Sequence, residues 1–128
     1  MRQLTVHRHV DAAPDVVWSL LVDLDVWPRW GTSVRRAELE GGGELGLGAC
    51  GHVWTAVGVR LPFEVTSFDP GRSWAWRVAG VPATTHAVRP DGDGCRVSMG
   101  APLWAPAYLP VLAAALVRIE RLALAQAG

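Results

Sequence analysis

A handful of side chains in this sequence can move a proton or hold a charge inside an apolar fold. His86 alternates with Val88 in a run of period two, which turns an imidazole inward, where burial can tune its pKa for proton transfer. His52 is a second candidate, on one face with Cys50 and Trp54. Arg60 stays charged and offers forked donors to a ketone or carboxylate, and Tyr108, the only tyrosine, offers a phenol. Glu64 becomes a buried base only if a bulge brings it inward with Thr66 and Phe68. With Phe63 and Val65 inward it lies outside, as Arg77 does if Trp76 faces in. His7 and His9 share a strand face without an acidic or cysteine partner at ligand spacing, so no metal is expected.

Composition removes several other chemistries. All twelve basic residues are arginine, so there is no lysine for a Schiff base, a pyridoxal-phosphate anchor or a Walker-type phosphate site, and no cofactor is expected. Twelve acids balance them to zero net charge, with arginine spread along the chain, which excludes the electrostatic footprint of a nucleic-acid binder. Cys50 and Cys95 lie in separate apolar segments and read as reduced core thiols. Gly46, Gly48 and Gly51 satisfy GxGxxG but open a strand, with no βαβ unit for a dinucleotide. The N-terminus meets polar residues too early for a secretory signal, so a cytoplasmic location is the default. Residues 101–117 are uncharged but short for a membrane span, carry three prolines and continue into Arg118, Glu120 and Arg121, so no membrane insertion is expected.

Seven of the ten aromatic residues are tryptophan. An indole gives a ligand cavity flat area with a polar edge, and it fills a core only if its N–H finds a partner. Trp18 reads as structural. Trp27, Trp30, Trp54, Trp76 and Trp104, with Phe63, are the candidates for lining a cavity, and Trp74 shares a strand face with Trp76.

The elements that must position these groups follow from periodicity. Residues 4–10 read as a strand, residues 14–23 as a helix opened by Pro14, and Asp25 to Trp30 as a second short helix or turn. Six strands follow at 33–40, 47–55, 59–68, 73–79, 83–89 and 95–101, separated by GGGELG, DPGR, GVP and PDGDG. Connections this short predict an antiparallel meander. A final helix over 107–126 has Leu109, Leu112, Leu116, Ile119 and Ala123 on one stripe, to be laid across the sheet. The 128 residues form one α+β domain.

The strings "DAAPDVVWSLLVDLDVWPRW" (11–30), "FEVTSFDPGRSWAWR" (63–77) and "THAVRPDGDGCRVS" (85–98) resemble the START and birch-pollen-allergen superfamily, closest to its polyketide cyclase/dehydrase branch. The resemblance implies a helix-grip fold: a seven-stranded curved antiparallel sheet around a long C-terminal helix, two short helices after strand one, and a cavity between sheet and helix. It also implies that Trp27 is a cavity-wall residue and that the ligand is a hydrophobic, aromatic or polyketide-derived small molecule. On that reading His86 or His52 serves as acid/base and Arg60 or Tyr108 as oxyanion partner for aldol cyclisation or dehydration. Two alternatives stay open, a non-catalytic carrier of a lipid-like ligand and an interaction domain, monomer or homodimer, using residues 103–110.

Overall fold

A computed structural model describes residues 3–127. Strand β1 (Gln3–Val10) is followed by helix α1 (Pro14–Val22) and the four-residue helix α2 (Trp27–Trp30). Then come β2 (Val34–Leu39), β3 (Cys50–Thr55), β4 (Arg60–Asp69), β5 (Ser73–Val78), β6 (Val81–Asp91) and β7 (Gly94–Pro102). A 3-10 turn at Pro106–Tyr108 leads into the long helix α3 (Leu109–Ala127). The strands form one antiparallel sheet in the order β1-β7-β6-β5-β4-β3-β2. Only β1 departs from the meander, returning to pair with β7. Helix α3 lies against β1 and β7, α1 packs on α3, β6 and β7, and α2 bridges α3 and the edge strand β2.

Local chemistry explains the joints. Pro14 opens α1 where its missing N–H costs nothing, and Val17, Leu20 and Leu21 form the buried stripe. Along α3 the buried residues are Leu112, Leu116, Ile119 and Ala123, as the sequence predicts, together with Ala115. Leu109 at the head of the helix is only half-buried. The expected third strand starts three residues late, because Gly48 adopts a left-handed φ of 79° and Leu47 is exposed. Residues 101–117 are divided between the end of β7, the 3-10 turn and the first half of α3. Among the described residues no helix is long and apolar enough to cross a membrane.

The β5–β6 hairpin turns on Ala79 and Gly80, with φ of 52° and 77°, between the paired Val78 and Val81. Both central residues have positive φ, the type I′ arrangement that favours Asn-Gly, and alanine is poorly suited to it. Ala79→Asn is expected to raise stability by about 0.5–1 kcal/mol, roughly 3 °C in Tm, measured by thermal unfolding. A lower Tm would argue against the left-handed assignment at this position.

Candidate functional site

The interior is organised by the two tryptophans of α2. A helix ends with carbonyls that have no partner in the helix, and in the last turn of α1 two of them belong to the buried Leu20 and Leu21. Trp27 donates its indole N–H to the Leu21 carbonyl at 2.9 Å, and Trp30 donates to Leu20 at 2.9 Å. The Trp-Pro-x-Trp string is therefore a C-terminal cap for α1, and the same bonds aim both rings into the core.

The sheet supplies the other half of the cluster. Trp74 and Trp76 point inward from β5, and Thr84 and His86 from β6. Trp74 stacks on Trp27 at 5.3 Å between ring centroids, 11° from parallel, and on His86 at 4.0 Å and 21°. Trp76 stands edge-on to Trp27, Trp74 and His86, and Phe63 from β4 packs against both Trp76 at 5.3 Å and Trp27 at 6.0 Å. Both neighbouring strands bulge beside Trp76: β4 between Val65 and Ser67, β6 between Pro82 and Thr85. The second bulge sets Thr84 where the Trp76 indole N–H reaches its hydroxyl oxygen at 3.0 Å.

A short polar chain runs through this apolar surrounding. Thr84 Oγ1 accepts from Trp76 and lies 3.0 Å from His86 Nε2. The indole bond uses one lone pair of the hydroxyl oxygen and leaves its proton free, so with the imidazole proton on Nδ1 the hydroxyl donates to Nε2. His86 Nδ1 and Trp74 Nε1 are buried without a hydrogen-bond partner in the described structure. Burial pushes the His86 pKa down to about 3; the Trp74 carbonyl pulls the other way but closes no well-formed hydrogen bond. His86 is thus a neutral ring at physiological pH.

Two spaces adjoin this cluster. A small void of about 40 Å³ touches Trp30, Trp74 and His86. A larger cavity of about 390 Å³ opens between the 3-10 turn that precedes α3 and the ends of β2 to β7. Its walls are Val34, Val53, Leu61, Trp76, Val78 and Pro82, with the hydroxyl residues Ser33, Thr55, Thr84 and Tyr108 among them and Trp104 at the rim. The lining contains no charged side chain. Ser33, Thr84 and Tyr108 border both spaces, and the Ser33 and Tyr108 hydroxyls share a 2.6 Å hydrogen bond between them. A wide cleft of about 870 Å³ at the opposite end of the molecule, beside Trp18 and Phe68, touches no histidine.

The structure brings together His86, Tyr108, Trp27, Trp30 and Trp76. Phe63 is buried behind Trp76 and lines neither space. Trp104 is 69% exposed, a rim residue rather than an inner wall. His52, Trp54 and Arg60 are not part of the site, which corrects the expectation for all three. Gly51 and Val53 of β3 face inward, paired with Phe63 and Leu61, so alternation sends His52, Trp54 and Arg60 to the outer face. There the Arg36 guanidinium sits 4.7 Å from the Trp54 ring centroid. Glu64 and Arg77 also point outward, with 3.7 Å between their charged groups. His9 pairs with Asp91 and Asp11 at 2.9 Å each, and those hydrogen bonds, Asp91 first, hold its pKa above the ordinary histidine value.

Sequence reasoning passed over Trp74, Thr84 and Ser33 as site residues. Trp74 was legible as the face-mate of Trp76, and Thr84 stands two residues before His86 on one strand face. Nothing local marked Ser33, whose partner is 75 residues away.

Comparison with known proteins follows this geometry. A family model described as polyketide cyclase / dehydrase and lipid transport matches residues 1–126. No curated protein matches. Among solved structures, a protein from Mesorhizobium loti superposes with a TM-score of 0.76 at 14% identity, covering 94% of this chain and 96% of that one. The Aha1 dimer from Colwellia psychrerythraea gives 0.71 at 13% identity, with 96% of each chain covered. DynU16, from the dynemicin biosynthetic locus, gives 0.66 at 19% identity, covering 93% of this chain and 46% of that one. At such identities the likeness is one of fold.

Proposed function

The chain belongs to the polyketide cyclase/dehydrase and lipid transport family, and from that premise we propose that its 390 Å³ cavity binds a compact hydrophobic small molecule carrying a ring and one polar group. The carrying observation is the lining: an apolar wall including Trp76, with the Ser33, Thr84 and Tyr108 hydroxyls where it meets the smaller void, and the Thr55 hydroxyl apart from them, accepting from the Val59 N–H. Apolar walls supply affinity and a few convergent hydroxyls fix orientation. The volume lies at the low end for small-molecule sites, which suits a ligand of one or two rings better than a long polyketide chain.

Binding without turnover is the better-supported form of this reading. No arginine or carboxylate lines the cavity, and the one buried histidine is neutral with a depressed pKa, a weak base. One observation favours catalysis as a second reading. Thr84 lines the cavity while touching His86, so as its hydroxyl oxygen takes a proton from a ligand it can pass its own proton to His86 Nε2, with Tyr108 as donor to a developing oxyanion.

The test uses 1-naphthol as probe, with binding followed by calorimetry. Val53→Phe, which fills the cavity from its wall, is expected to weaken binding by at least about tenfold, since a buried ring displaces the ligand. Unchanged affinity in that variant sinks the proposal. The catalytic form further requires that His86→Gln lower kcat for a turned-over substrate by about 10² or more with KM little changed.

A further inference from the structure

Seven large apolar side chains are exposed among the described residues, and five of them belong to the segments that form the cavity: Val81 and Trp104 line it, and Val57, Val59 and Leu103 stand beside the lining residues Thr55, Leu61 and Pro102. They stand on three separate tips, the β3–β4 turn, the β5–β6 turn and the link from β7 to the 3-10 turn. Val57 is 86% exposed. Charge is distributed just as unevenly. The segments framing the mouth, 33–36, 53–61, 76–84 and 102–108, carry Arg35, Arg36, Arg60 and Arg77 and not one acidic residue, in a chain whose net charge is zero. Arg36 is engaged by Glu38 and Arg77 by Glu64. Arg35 and Arg60 make no ion pair among the described residues. Acidic residues instead border the cleft at the far end, where Asp23, Asp25 and Glu44 lie.

We propose that this rim docks on an anionic lipid surface, with Trp104 and Val57 in the interfacial layer and Arg35 and Arg60 against headgroup phosphates. Protruding apolar residues joined to cations, with tryptophan at the level of the headgroups, are what interfacial binding needs. Separate fingers favour a fluid layer, which closes around each of them, over a rigid protein partner, which needs a continuous complementary patch. Docking of this kind is peripheral and requires no spanning helix. It is independent of what the cavity holds, so it can fail while ligand binding stands.

Flotation of the full chain with vesicles decides it. The protein is expected to float with vesicles of equal parts phosphatidylglycerol and phosphatidylcholine, to be released by high salt, and to bind phosphatidylcholine alone at least about tenfold more weakly. Arg60→Ala is expected to weaken binding roughly fivefold, and Val57→Ser with Trp104→Ser at least about tenfold. These side chains are exposed, so the variants keep their fold, checked by circular dichroism. Equal binding to both vesicle types, no flotation, or variants that bind like the parent chain overturn the proposal. So does light scattering that shows a dimer which Val57→Ser dissociates, because the rim is then covered by a second copy.

Discussion

Trp74→Ala is expected to cost about 3–5 kcal/mol, the range for removing a large aromatic side chain from a packed core. Trp74 is 1% exposed, stacks on Trp27 and His86 and takes the edge of Trp76, so its removal takes a packing partner from three rings at once. Collapse into the space is hindered, because Trp27 is held by its bond to Leu21 and Trp76 by its bond to Thr84. A domain of this size has a total stability of about 5–15 kcal/mol, so this one change consumes a large part of it. Urea unfolding of the variant beside Trp104→Ala checks the claim. Trp104 is largely exposed, and its replacement is expected to alter stability by no more than about 0.5 kcal/mol. Equal losses in the two variants would show that the column of rings is not the centre of the core.

Stability is expected to fall by about 2 kcal/mol between pH 7 and pH 5, on account of His86 alone. In the folded chain its pKa is lowered to about 3 by burial, whereas in the unfolded chain it returns to the ordinary value of 6.5. Between those values the unfolded chain holds a proton that the folded chain lacks. The contribution is therefore whole above 6.5 and is lost progressively as pH falls toward 3. His9 works in the opposite sense: its raised pKa gives a contribution present below 6.5 and lost as pH rises, and its exposure keeps that contribution small. His86→Gln separates the two, since it retains a polar group facing Thr84 but cannot titrate. Urea unfolding at both pH values is expected to show the drop in the parent chain and its absence in His86→Gln. The same drop in both would mean that His86 is not a buried neutral ring.

Much of the architecture was legible because turn chemistry and period two agree along β4 to β7. The direction of β3 was not. Alternation groups Cys50, His52 and Trp54 on one face but does not say which face is inside, and the bulky residues suggested the wrong one. The inward positions belong to Gly51 and Val53. A side chain at Gly51 would drive a Cβ into the Glu38 carbonyl oxygen and bring it within 2.9 Å of the Phe63 ring. The residue that marks the interior there is small because the strand is tightly packed, and a small residue gives periodicity nothing to read. In β4 the bulge after Val65 changes the phase, so Phe63 and Val65 are buried, Phe68 packs against Trp18 and Glu64 remains outside. The site was half legible. His86, Trp27, Trp30, Trp76 and Tyr108 had signatures in the chain, but the Ser33–Tyr108 bond joins residues that only the closed sheet brings together.

The indole bonds at the end of α1 also bear on how the molecule opens. A four-residue helix such as α2 has no stability of its own, and the last turn of α1 would ordinarily be the first part to fray. Here fraying that turn releases Trp27 and Trp30 from the Leu21 and Leu20 carbonyls, and with them the ring against which Trp74 stacks. Local opening at this seam therefore also undoes the ring stack, and the amide protons at the end of α1 are expected to exchange as slowly as those of the central strands rather than as fast as those of a frayed helix terminus.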